Sequence, residues 1–490
     1  MYYIGIDLGT SAVKALLMDA GGTIVNVVSR EYPLEIPFPG WAQQRPEDWE
    51  AAVFSVIPEL VRDVRASEVA GIGVGGQMHG LVALDGDDRV IRPAILWNDG
   101  RSEKQVERLN AQIGRERLAA WTGNIAFAGF TAPKLLWMRE NEPGNFAAIR
   151  HILLPKDYIV HLLTGKYSSD YSDASGTLLL DVRNRRWSNE MMQICHVTRE
   201  QLPDLYESFE VVGTLTADAA KRLGLPAAVR VCAGAGDNAA AAVGTGTVGN
   251  GRCNISLGTS GTIFISSETF AADERNALHA FAHADGTYHL MGCMLSAAAC
   301  NRWWMEKILN TSDFAAEQAC ITDDMLGRNQ VYFLPYLMGE RSPHNDPAAR
   351  GCFIGLSMDT TRSAMVQAIL EGVTFGIRDS LEAARAQGVC VRSSKICGGG
   401  AKSPLWRRIC ANILNLPIEI PAVEEGPGMG GAMLAAVACG EYGSVREIAD
   451  RLATVSGRVL PDAAIAARYE RRYQTFRKLY PALKGLFKEL

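Results

Sequence analysis

Apolar residues at the start of the chain fall into two short runs, Tyr2 to Leu8 and Val13 to Met18, separated by Gly9-Thr10-Ser11 and followed by Gly21-Gly22. Runs of this length bounded by glycine predict a β-hairpin with a Gly-Thr-Ser tip. The pattern returns near mid-chain, where Asn254 to Ile263 repeats strand, turn and strand around Leu257-Gly258-Thr259-Ser260. Two copies about half a chain apart predict two structurally related domains, each opening with a glycine-rich hairpin. They differ at one chemically telling place: Ser256 stands in the second copy where Asp7 stands in the first, so only the first hairpin carries a carboxylate.

Strand and helix patterns alternate elsewhere. Residues 69–76 (VAGIGVGG) predict a buried strand with Gln77-Met78-His79-Gly80 just past its carboxyl end, and 46–61 a helix with proline at its start that Pro58 should bend or shorten. Residues 230–235 predict a short strand closed by Gly236-Asp237-Asn238, and Ala239 to Gly244 a tightly packed helix. Further on come a strand at 394–397, a Gly398-Gly399-Gly400 turn, a helix at 404–414, a strand at 417–423, a glycine loop at 426–431 and a helix at 432–439. Aromatic and basic residues at helical spacing mark the C-terminal tail as helical, and the glycines at 244–251 suit a hinge between domains.

Composition narrows the classes. A chain of 490 residues, 48% hydrophobic and 21% charged, has material for two or three domains of a globular α/β protein. The net charge of -5 and the lack of a long basic run argue against a nucleic-acid partner. The opening MYYIGIDLGT has neither a basic nor an apolar leader region, and longer apolar stretches are broken by Asp, His or Arg before they could span a bilayer. Eleven scattered cysteines without a C-x-x-C pair fit reduced thiols, and the expectation is a cytoplasmic protein with no membrane partner.

The candidate chemistry has ordinary rivals. Asp7 at a strand end beside Gly-Thr-Ser is either a simple turn or one side of a phosphate clamp whose other side is the second hairpin, with Asp7 holding Mg²⁺ through water. Lys14 reads as a solvated residue rather than a phosphate ligand. Asp237 is either a helix N-cap or the general base that phosphoryl transfer requires. Gly426-x-Gly428-x-x-Gly431 matches a dinucleotide fingerprint only formally, lacking a clear acidic residue downstream. With Gly398 to Gly400 it fits the walls of a nucleotide pocket better. No Walker A loop exists, since Gly165-Lys166 is followed by Tyr167. His279 and His283 have metal-helix spacing, but Ala280 replaces the required Glu and the surrounding pattern is strand-like. His79, next to Met78 at a strand end, is placed to hydrogen-bond a polyol, with core packing as the competing role.

Together these residues resemble the FGGY carbohydrate kinases over nearly the whole chain. IGIDLGTS at 4–11 resembles the family's first phosphate motif, GFTAPKLLW at 129–137 its first signature, and GCFIGL at 351–356 through AILE at 368–371 its second. Ala364 stands where a polar residue is more usual and reads as a surface change. The resemblance implies an α/β protein of two ribonuclease-H-like (actin/hexokinase-type) domains with an interdomain active-site cleft: 1–246 for the sugar and the catalytic base, 247–490 for ATP. It implies ATP and Mg²⁺, with Asp237 as catalytic base, Asp7 assisting at the metal–phosphate centre, and both carboxylates holding Mg²⁺ through water. Thr10, Ser11, Thr259 and Ser260 would line the phosphates, Gly400 and Ala401 the adenosine. Met78, His79, Trp97, Asp237 and Asn238 would contact the sugar. The segments at 77–80, 97–101 and 154–158 resemble those of the xylulokinase members, and the Arg-containing segment of glycerol kinases is absent. The implied reaction is D-xylulose plus ATP giving xylulose 5-phosphate plus ADP. Another ketose or pentitol, or a non-catalytic ATP- and sugar-binding role on the same fold, are the alternatives, and a homodimer is left open.

Overall fold

The computed structural model describes residues 1–272, 277–422 and 425–490. The predicted hairpin is β1 (Tyr2–Leu8) and β2 (Ala12–Asp19), continued by β3 (Ile24–Glu31). Helix α1 (Pro46–Leu60) runs through Pro58 to its last turn, so the proline does not shorten it. The chain then enters the buried strand β4 (Val69–Gly76). After a long excursion come β5 (Val211–Thr214), β6 (Arg230–Cys232) and the two-residue β7 (Ala235–Gly236), which leads directly into α2 (Asp237–Gly244). The strand expected at 230–235 is thus broken. Gly234 adopts a positive φ, and a Cβ there would lie 2.0 Å from the Val74 carbonyl, so the chain kinks under β4 before pairing resumes.

The second half opens with β8 (Arg252–Leu257) and β9 (Gly261–Ser267), the repeat of the first hairpin, followed by β10 (His279–Ala282) and β11 (Tyr288–Met294). His279 and His283 therefore lie on and just after a strand, not on one helix face. The long helix α3 (Arg362–Ala386) precedes β12 (Ser393–Cys397), and α4 (Pro404–Leu414) precedes β13 (Ile418–Pro421). Val423, the expected end of that strand, lies outside the described residues. Helix α5 (Gly426–Ala438) and the edge strand β14 (Val455–Val459) follow.

The two sheets share one plan. The first has the order β5-β6-β4-β1-β2-β3, the second β10-β11-β9-β8-β12-β13-β14. In both, the hairpin and its outer neighbour pair antiparallel, the hairpin's first strand pairs parallel with a central strand, a further parallel strand follows, and an antiparallel strand closes the edge. Helices α1 and α3 occupy equivalent places before the central strands, each bringing an apolar face into its own core.

The glycine loop expected at 426–431 is the first part of α5. Glycine disfavours helix in isolation, but packing overrides that here. A Cβ on Gly5 would lie 1.9 Å from the Gly428 carbonyl, one on Gly73 2.1 Å from that of Gly431, and one on Gly430 1.9 Å from that of Ala240. Glycines on both partners let α5 lie backbone to backbone on β1, β4 and α2. A helix late in the sequence is thereby built into the core under the first sheet, with Met429 and Met433 beside Tyr3, Leu16 and Ala239.

Candidate functional site

The carboxyl ends of β1, β4 and β7 lie side by side, because β4 pairs in parallel with both of the others. The parallel pairing gathers three chain segments in one place: the Gly9-Thr10-Ser11 tip after β1, Gln77-Met78-His79 after β4, and Asp237-Asn238 after β7.

Asp237 is the first residue of α2, half-buried, with Oδ1 accepting from the Asn238 N–H at 2.6 Å. Burial, with the Asp7 carboxylate adding to it, pushes its pKa up to about 7 against the opposing pull of that hydrogen bond. Asp7 sits on β1 across from Lys14 and Gly75. Burial lifts it to about 6, with Lys14 opposing and Glu425 reinforcing. Lys14 is not simply solvated: its Nζ pairs with Glu425 Oε2 at 3.0 Å, joining the first hairpin to the segment entering α5.

Asn238 Nδ2 lies 3.8 Å from Met78 Sδ, and a Cβ on Gly236 would come within 2.8 Å of Met78 Cγ, so the methionine fills the space between the two strand ends. His79 has φ of 71°, unusual for a side-chain-bearing residue. Its carbonyl accepts from Lys134 Nζ at 2.7 Å and Thr131 Oγ1 at 3.1 Å, which pins the strained peptide. The ring Nδ1 is 2.8 Å from the Gly176 carbonyl. A carbonyl only accepts, so Nδ1 carries the proton and Nε2 is left as an acceptor. Burial, followed by the nearby Lys134 charge, holds the imidazole well below its usual pKa and therefore neutral.

Trp97 is 42% exposed, and its indole Nε1 donates to Thr10 Oγ1 at 3.0 Å. The Thr10 hydroxyl in turn donates to Gln77 Oε1 at 3.3 Å, while Gln44 Nε2 donates to the Thr10 carbonyl at 2.7 Å. Thr10 thus links Trp97 to the hairpin tip, and Ser11 is the exposed residue of that tip. On the second hairpin Thr259 and Ser260 are exposed, their turn anchored by Ala297 N–H to the Thr259 carbonyl at 2.9 Å and Ala298 N–H to that of Gly258 at 2.8 Å. Gly398-Gly399-Gly400 leads into a short 3₁₀ turn rather than a plain loop. Gly400 borders a cavity of about 450 Å³ with Asn301, Gln318, Ser403 and Trp406, a size that suits a small ligand. Ala401 faces a different cavity, of about 190 Å³, shared with Ala241, Thr245 and Asn254.

Sequence reasoning missed the residues that hold these groups. Gln44, Gln77 and Lys134 act through bonds between segments distant in sequence. Lys156, Asp170 and Ser172 do the same, and the signal for Asp170 and Ser172 is a polar run, SSDYSDAS at 168–175, inside an otherwise apolar region.

Comparison with known proteins bears on this geometry. Residues 2–244 match the N-terminal domain of the FGGY family of carbohydrate kinases, and residues 253–439 match its C-terminal domain. A xylulose kinase of Escherichia coli strain K12 is 42% identical over 99% of both chains. One from Bacillus subtilis strain 168 is 37% identical over 99% of this chain and 98% of its own. Among solved structures, a "xyloylose kinase" from Brucella ovis superposes with a TM-score of 0.95 at 42% identity, covering 99% of this chain and 100% of that one.

Proposed function

Because the chain belongs to the FGGY family of carbohydrate kinases and is an ATP-dependent sugar kinase, we propose that it phosphorylates D-xylulose to xylulose 5-phosphate with Asp237 as general base. The observation that carries the mechanism is the meeting of Asp237, Asn238 and Met78 at adjoining strand ends, with a second carboxylate, Asp7, close enough to raise the first. The substrate comes from the xylulose kinases this chain resembles over nearly its full length.

Residues 1–246 supply the sugar floor and the base, and 247–490 the nucleotide side. His79 Nε2 and the Asn238 amide orient sugar hydroxyls, and Trp97 closes one side. The Asp237 carboxylate takes the proton of the reacting hydroxyl as its oxygen attacks the γ-phosphorus. The bond to the bridging oxygen of the β-phosphate breaks, and ADP leaves. A carboxylate with a pKa of about 7 is matched to accepting a proton near neutral pH. The Thr10-Ser11 and Thr259-Ser260 tips contact the phosphates, and the cavity beside Gly400 takes the adenosine, with Ala401 behind it. Asp7 and Asp237 suit Mg²⁺: they are hard oxygen donors whose mutual repulsion a cation relieves. Among the described residues no three-ligand cluster exists, which fits an ion that keeps water and phosphate oxygens as ligands. When bound, Mg²⁺ would neutralise charge building on the triphosphate.

The test is Asp237→Ala. Turnover should fall by about 10²–10⁴ while the thermal midpoint and nucleotide binding stay near wild type; a folded variant with near-normal turnover refutes the base. A panel of ketoses and pentitols in an ADP-release assay tests the substrate, and D-xylulose should give the highest kcat/KM.

A further inference from the structure

Beneath the floor of the site lies a buried ionic cluster. Lys156 Nζ is 2.6 Å from Asp157 Oδ1, 2.9 Å from Asp170 Oδ1 and 4.0 Å from Asp173 Oδ2, and all four side chains are at most 1% exposed. Burial, with Asp157 and Asp170 adding to it and Lys156 opposing, holds the Asp173 carboxyl well above its usual range. Taking such charges out of water costs several kcal/mol per ion, and well-packed apolar side chains would serve a purely structural purpose better.

The cluster has a directed outlet. Asp170 Oδ2 accepts from the Ser172 hydroxyl at 2.5 Å, the Ser172 N–H at 2.8 Å and the Ser208 hydroxyl at 2.8 Å. With its proton committed to Asp170, the Ser172 oxygen can only accept, and it accepts from the Gly236 N–H at 3.2 Å. Gly236 is the residue immediately before Asp237. On its other flank it touches Met78, and Lys156 itself packs under Gly76, where a Cβ would lie 2.8 Å from that of the lysine.

We propose that Ser172, locked by Asp170 and Lys156, is a positioning residue that fixes the Gly236–Asp237 peptide and thereby aims the Asp237 carboxylate at the sugar hydroxyl. This rests on Asp237 being the base. The lock is rigid because Asp170 is held from four sides, so the orientation of Ser172 is set before substrate arrives.

The experiment is a double-mutant cycle read by steady-state and single-turnover kinetics, with rates normalised to folded protein by nucleotide-binding stoichiometry. Ser172→Ala should lower kcat about ten- to a hundredfold with KM for sugar and ATP within about twofold of wild type. Ser172→Thr, which restores a hydroxyl, should recover much of the loss. In an Asp237→Asn background, Ser172→Ala should change the residual rate less than about twofold, because the serine acts only through the base. Wild-type kcat in Ser172→Ala overturns the proposal, as do losses that multiply in the double variant or a rise in both KM values with a fallen thermal midpoint. Should Ser172→Ala not fold, Asp170→Asn, which can keep an acceptor oxygen toward Ser172, replaces it with the same criteria at a smaller loss. If Asp237→Asn alone keeps normal turnover, it is the base assignment that fails, not the positioning.

Discussion

The two sheets follow one plan but fill its centre oppositely. In the first sheet Gly5 pairs with Gly73; at the equivalent places of the second, Asn254 pairs with Lys395. The glycine pair leaves bare backbone on which α5 lies without intervening side chains. The Asn–Lys pair holds α2 off the second sheet, leaving a cavity of about 190 Å³ between Ala241, Thr245 and Asn254. Lys395 crosses the gap and donates to the Thr245 carbonyl at the end of α2. One contact between a helix and a sheet is thus rigid and the other a spaced, polar seam. A hinge between the two sheets would be expected at the spaced seam rather than at the rigid contact.

The strongest way to break the comparison is to put a methyl group into the tight contact. A Cβ on Gly5 would meet the Gly428 carbonyl at 1.9 Å and the Ala432 nitrogen at 2.7 Å. Both are backbone atoms, so neither can rotate away. Gly5→Ala should destabilise by at least about 3 kcal/mol, beyond the usual cost of overpacking, and recovery of folded protein should collapse. Denaturation showing a midpoint within a few degrees of wild type would mean that α5 is not seated as described.

The next largest effect separates the two hairpins chemically. Asp7→Asn should lower kcat by about 10²–10³, the scale seen when one preorganised electrostatic partner is lost, with little change in the thermal midpoint. Ser256→Ala, at the matching position, should change kcat less than about threefold. Comparable losses in the two would deny the hairpins their different roles.

The hairpins were legible because glycine-bounded apolar runs of strand length repeat with the same Leu-Gly-Thr-Ser core, and Asp237 because it follows a strand and opens an alanine-rich helix. Helix α5 was not legible. Its glycines carry low intrinsic propensity and read as a loop; only the bare backbone of Gly5 and Gly73, hundreds of residues away, explains why a helix needs them. The break after Cys232 was hidden for the same reason, since it depends on how close Gly234 comes to Val74. In the site, residue types at strand ends could be read, but not the bonds between them. Trp97 to Thr10, Lys134 to His79 and Ser172 to Gly236 join segments whose proximity no local pattern encodes.

A smaller effect concerns Lys395. Burial, reinforced by Arg252 and partly offset by Glu419 and Asp450, lowers its pKa from 10.5 to about 8. The folded state thus binds this proton less readily than the unfolded chain. Between about pH 8 and 10.5 the unfolded state holds more protons, so this lysine makes stability rise with pH across that window; below it the burial penalty is felt in full. The difference in unfolding free energy between wild type and Lys395→Met should therefore move in favour of wild type by on the order of 1–3 kcal/mol from pH 7 to 10. A flat difference curve would show that the ammonium is not buried in the seam.

The smallest expected change tests the looseness of the seam itself. Asn254 is 8% exposed, its Nδ2 reaches only Cys397 Sγ at 3.8 Å, and among the described residues its Oδ1 has no hydrogen-bond partner. An amide this poorly satisfied returns little of its desolvation cost, and the adjoining cavity means that removing it opens no new void in a packed core. Asn254→Ala should therefore alter stability by less than about 1 kcal/mol, in contrast to the collapse expected for Gly5→Ala at the equivalent place. If chemical denaturation instead gave a loss of about 3 kcal/mol or more, the second helix contact would be as tightly packed as the first, and the asymmetry between the two contacts would be gone.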